Sequence, residues 1–205
     1  MKKENKFTPE PLFAAAGAGF ALYCSYEWHL MGRLINTGYP DHSLADYALF
    51  LVPLLLGVGT AMRYRGESGR GRRAGVGLAC TGFGLLGAAY FFAKWIYHAD
   101  IPIYVMLFYP GTLLVSLSLL WLAAVERSAA VRTALAAAAL LALAHAVAPQ
   151  IAAASYGKTI GSEVKCWTGI ALGAAWVLLG LAALRRRTDA SAAANARTPG
   201  GGPRL

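Results

Sequence analysis

Glu27 and His145 stand well inside long apolar stretches of this 205-residue chain. Ionisable groups at such positions usually face a cavity or a partner, because hydrocarbon does not replace their lost hydration. A carboxylate and an imidazole at one depth could hold a polar ligand, or supply the two convergent groups that a membrane enzyme needs. Lys94 and His98 close a third apolar run in "AAYFFAKWIYHADIP". There Trp95 and Tyr97 suit a membrane interface, and the Lys94 stem can snorkel to headgroups or bend inward toward Glu27. Tyr23 precedes Glu27 by four residues and so shares its helical face. Tyr109 completes the candidate set.

Three prolines stand near the same depth: Pro53, Pro110 and Pro149. Within a helix, each frees the carbonyl four residues earlier, those of Leu49, Met106 and His145. Polar backbone of this kind is tolerated at membrane depth where it lines protein or water. Glu27, Lys94, His98, His145, Tyr23 and Tyr109, with these irregularities, therefore outline a polar pocket.

Other chemistries find less support. His29, His42, His98 and His145 are scattered singly, with no H-x-x-x-H or H-E-x-x-H spacing, so no metal site is expected. A haem held by two histidines meets the same obstacle, and no cofactor is assigned. Ser25, Ser116, Ser118 and Ser155 lack the setting of a nucleophile. The string "TGFGLLG" matches G-x-G-x-x-G, but it lies inside an apolar run and reads as a packing face. Cys24, Cys80 and Cys166 read as small packing residues, with a disulfide or a free thiol pair open between Cys24 and Cys166.

The elements that must position these groups follow from composition. The chain is 57% hydrophobic and 14% charged, against about 25% charged residues in soluble domains. Six apolar runs, at 11–31, 47–62, 74–95, 103–125, 131–154 and 164–184, each approach the ~20 residues that cross a bilayer core. The expected fold is all-α: a multi-pass bundle of six transmembrane helices in one domain over 1–187, followed by a disordered tail over 188–205. The first run exceeds a signal-peptide core and reads as a retained helix.

Charge orients the bundle. Fifteen of the 19 lysines and arginines fall on one side if the spans alternate. The positive-inside rule then places both termini in the cytoplasm of a plasma membrane and the candidate pocket outside. The net charge of +9 follows this topology, so nucleic acid is not an expected partner. The lipid bilayer is, with other membrane subunits or a second copy open. Small-residue pairs such as Ala15 and Gly19, or Gly169 and Gly173, permit close helix approach. In length, number of apolar runs and small-residue start, the chain resembles the substrate-binding subunits of energy-coupling-factor transporters, a resemblance of overall shape. The expected function is a small-molecule binding or transport component. The alternatives are a membrane enzyme acting on lipid, quinone or haem, and a structural or assembly partner. An enzyme is the less expected of these classes.

Overall fold

The structure is a computed structural model that describes residues 8–37, 48–65, 69–97 and 102–196. These residues form six α-helices: α1 (Glu10–Thr37), α2 (Leu51–Arg63), α3 (Arg70–Phe91), α4 (Pro102–Val125), α5 (Ala129–Tyr156) and α6 (Lys158–Ala196). A π-helical turn, Phe92–Tyr97, continues α3.

Each helix packs on its neighbours in the chain, and α6 returns to pack on α1. The six therefore form a closed ring. Closure is tightest between α1 and α6, where glycines let the backbones meet. A methyl added at Gly17 would lie 2.6 Å from the Gly173 carbonyl oxygen, and one at Gly173 would lie 2.6 Å from that of Gly17. No side chain fits that contact, which is how small residues drive association where lipid supplies no hydrophobic force. The expected partner Gly173 is used, but it meets Gly17 and Ala21, while Gly19 faces open space. In "TGFGLLG", Gly82 abuts the α4 backbone at Gly111 and Val115, Gly87 abuts Leu54, and Gly84 faces open space.

The inside of the ring is filled by Phe13, Phe83, Leu119, Leu122, Trp176 and Leu179, each almost fully buried. The outside is equally apolar, with Leu22, Val58, Met106, Leu140, Ile151 and Leu178 all exposed. A ring apolar on both faces is one solvated by lipid. Four helices, α3, α4, α5 and α6, are long and apolar enough to cross a membrane. α2 has 13 residues, about 20 Å at 1.5 Å per residue against a core of roughly 30 Å. The expected span at 47–62 is thus a shorter apolar helix, and α1, though 28 residues long, mixes polar residues into its second half.

Other boundaries also differ from the sequence-based expectation, and α1 runs on to Thr37. An outer loop expected after 154 is a single break at Gly157, whose φ of 97° lies in the left-handed region that glycine enters without steric cost. The segment 188–196, expected as tail, continues α6 as helix. Five of its nine residues are alanine, the strongest helix former.

Candidate functional site

The ring encloses two adjoining cavities. Every helix contributes residues at helical spacing, which is what turns one stripe of each inward. From α1 come Phe20, Tyr23, Cys24 and Glu27, at successive offsets of three, one and three. From α3 come Phe83, Leu86, Tyr90 and, at the π-helical turn, Ala93. Such a turn widens the helix, and it recurs where a backbone lines a site.

The deeper cavity, about 60 Å³, is an apolar chamber. Val52, Pro53 and Leu56 of α2, Phe108, Thr112 and Val115 of α4, Ala142 of α5, and Leu172 and Trp176 of α6 complete its wall. Its polar lining groups are His145, Tyr90 and Thr112. The shallower cavity, about 160 Å³, is a polar cup that adds Tyr23, Cys24, Glu27, Tyr104 and Lys165. Phe20, Tyr90 and His145 line both, so they form the border between cup and chamber.

His145 is 7% exposed. Its ring meets Phe20 edge-on at 5.5 Å, and its Nδ1 lies 3.1 Å from Thr168 Oγ1. The same hydroxyl lies 2.7 Å from the Val164 carbonyl oxygen and 3.1 Å from that of Lys165. The Thr168 hydroxyl thus links the His145 ring to the α6 backbone. The His145 ring borders both cavities, and buried polar atoms without a hydrogen-bond partner among the described residues include Glu10 Oε2, Arg63 Nε and Ser116 Oγ. Gly169 makes room for this arrangement: a methyl there would strike Cys24 Sγ and lie 3.2 Å from His145 Cε1.

The structure brings Glu27, Tyr23 and His145 together in the cup. Tyr109 is instead on the outer side of α4, 36% exposed and packed on the Phe108 ring at 5.5 Å. Pro53 sits in the first turn of α2, where a missing N–H costs nothing, and lines the chamber. Pro149 is buried inside α5, and Pro110 is exposed on α4. Lys94 belongs to the π-helical turn; its side chain, His98 and Asp100 lie outside the described residues, and with them the Glu27 to Lys94 pairing. Cys24 and Cys166 are buried free thiols. Among the described residues, no three His, Cys, Asp or Glu side chains gather to hold a metal ion.

Sequence reasoning missed Lys165 as a lining residue, and it missed the opposite end entirely. There Glu126, between α4 and α5, is 7% exposed. It accepts from Arg186 at 2.7 Å and Arg63 at 3.1 Å, and from the Tyr64 hydroxyl at 3.4 Å. The backbone N–H groups of Arg127 and Ser128 donate to Oε1 at 2.9 and 3.2 Å. Burial alone would raise this carboxyl, but the Ser128 N–H and the two guanidiniums outweigh it and hold the group below its ordinary value. One carboxylate thus ties α2, α4, α5 and α6. Beside it Arg72 donates to the Val125 carbonyl at 2.7 Å, and Arg187 approaches Glu10 at 3.9 Å.

Tryptophans mark both ends of the ring. Trp28 and Trp167 pair at 5.2 Å beside the cup, while Trp121 donates to the Gly71 carbonyl at 3.0 Å near the charge cluster. Such belts sit at membrane interfaces. Comparison of the chain with protein-family models, with curated proteins and with solved structures found no match.

Proposed function

We propose that the protein is a small-molecule binding or transport component of the plasma membrane, whose ring takes up an amphiphilic molecule through the cup. The observation that carries this reading is the stacking of a polar cup on an apolar chamber, with His145 at their border. A molecule with a polar head and an apolar body would match that gradient, and small-molecule sites are commonly apolar pockets with a few placed polar groups. At the other end the Glu126 carboxylate pairs with two arginines. Arginines dominate that end, so the positive-inside rule assigns it and both termini to the cytoplasm, with six spans and the cup facing outward.

Native mass spectrometry of the protein released from membranes tests this. The wild-type protein should carry a bound small molecule. Ala142→Phe, which fills the chamber wall, should lose it, whereas Leu140→Phe on the lipid face should keep it. Equal retention by the two variants would refute the chamber as the site.

A further inference from the structure

Apart from the cup and chamber, we infer that the arginine-rich end carries a binding site for one anionic phospholipid, its phosphate held by Arg185 and Arg186 and its acyl chains lying on α6. The site is a groove of about 670 Å³ on the lipid-facing side of the ring, where the start of α5 meets the far part of α6. On its α6 wall Leu178, Leu181 and Ala182 are followed by Arg185 and then Asp189. Those offsets of three, one, three and four keep one stripe of the helix on the groove.

Along that stripe the chemistry changes in the order of a lipid leaflet. Leu178 and Leu181 are large, apolar and exposed, and at membrane depth such groups are solvated by acyl chains. Arg185 follows Leu181 by one turn, about 6 Å further along the axis. Trp121 donates to the Gly71 carbonyl at this same end, and tryptophans of this kind mark the membrane interface. The arginines therefore stand at headgroup level. Arg186 donates from one terminal nitrogen to Glu126 at 2.7 Å, and its side chain is still 47% exposed. A guanidinium carries five N–H donors in a planar fork that matches phosphate, so this bond orients the fork without exhausting it. Ser128 adds a hydroxyl from the α5 side.

Charge selects the head. Asp189 lines the same groove, and Glu126 touches Arg186. Glu126 is also paired with Arg63, and Arg127 and Arg132 flank Ser128, so arginines outnumber acids here. Asp189 stands one turn beyond Arg185, on the side away from the leucines, where water and salt screen it. A positive rim above an apolar wall suits a phosphate head without an ammonium, since a zwitterionic head would bring its own cation to the arginines. Free phosphate would leave the leucine wall unused. A second copy of this chain would set its own arginines against the rim.

Native mass spectrometry of the full-length protein in detergent, loaded with phosphatidylglycerol or with phosphatidylcholine of the same acyl chains, tests the site. The wild-type protein should retain one phosphatidylglycerol at least about fivefold more than phosphatidylcholine. Arg185→Gln should bring the two lipids to similar retention. Arg65→Gln removes the same charge from an exposed position at that end outside the groove, and it should keep the preference. Ala130→Trp, which fills the groove without removing charge, should release phosphatidylglycerol. Equal retention of the two lipids by the wild type, or equal loss in Arg185→Gln and Arg65→Gln, would overturn the assignment. Displacement of the lipid by an equal concentration of inorganic phosphate would also overturn it, in favour of a site for the free anion. So would a dimer that Ala130→Trp dissociates, which would put a second copy in the groove.

Discussion

At the two ends of the ring, buried polar groups are treated in opposite ways. Around Glu126 every oxygen of a buried carboxylate is matched by donors from several helices. Around His145 one ring nitrogen lies against the Thr168 hydroxyl, and the ring borders two cavities. A satisfied carboxylate ties helices together; a polar side chain at a cavity border is placed where a ligand could meet it. On the proposed function the ring is held shut by charge at its arginine-rich end and is receptive at the other. Two of the contacts between α1 and α6 fit that division. Gly17 on Gly173 is too tight for any side chain, and near the receptive end Gly169 yields space to Cys24 and His145.

The largest effect expected from this difference is on stability. Glu126→Ala leaves the Arg63 guanidinium, whose side chain is 10% exposed, without its carboxylate. Breaking such a buried pair costs about 3–5 kcal/mol. His145→Leu removes one neutral hydrogen bond, worth about 1 kcal/mol. Thermal unfolding in one detergent should therefore rank Glu126→Ala far below His145→Leu. Comparable losses would mean that the two ends are not built differently.

A smaller effect separates the ends by pH. The Glu126 carboxyl is held below its ordinary value of 4.5, so its contribution is complete above that pH and is lost as pH falls through the lower folded value. The wild-type melting temperature should decline below about pH 4.5, and Glu126→Gln, starting lower, should decline less over the same window. Parallel curves would remove Glu126 as the source.

How far the sequence announced this arrangement depends on the physics at each residue. Glu27 and His145 were legible because an ionisable group inside an apolar run is costly and so rarely idle. The long apolar helices were legible from composition for the same reason. Glu126 was not, because an acid in a short loop beside Arg127 looks the same in sequence whether it is solvated or buried under arginines. The one signal was its setting, an acidic residue in a short loop that also carries Arg127, with Arg132 close behind. Lys165 stands at the very edge of the apolar run 164–184, where a lysine signals no pocket; the helix begins at Lys158 and carries it over the cup. Tyr109 failed as a lining residue because its depth was read without its direction, and on α4 the inward stripe is Tyr104, Phe108 and Thr112. Ring closure by α6 on α1 is a lateral order that periodicity along the chain does not encode. The π-helical turn that positions Ala93 likewise depends on how the end of α3 packs.

The measurement that reaches most directly into the claim of one open and one closed end is cysteine accessibility from each side of the membrane. Cys24 lines the cup, Val115 lines the chamber, and Leu119, one turn further along α4, is fully buried beyond it. With Cys80 and Cys166 replaced by serine, a small charged thiosulfonate added to intact cells should modify Cys24. In a variant also lacking Cys24, it should modify Val115→Cys more slowly and leave Leu119→Cys unreacted. The same reagent added to inverted vesicles should modify none of the three. An unreactive Cys24, or modification of Leu119→Cys from the arginine-rich side, would contradict the account.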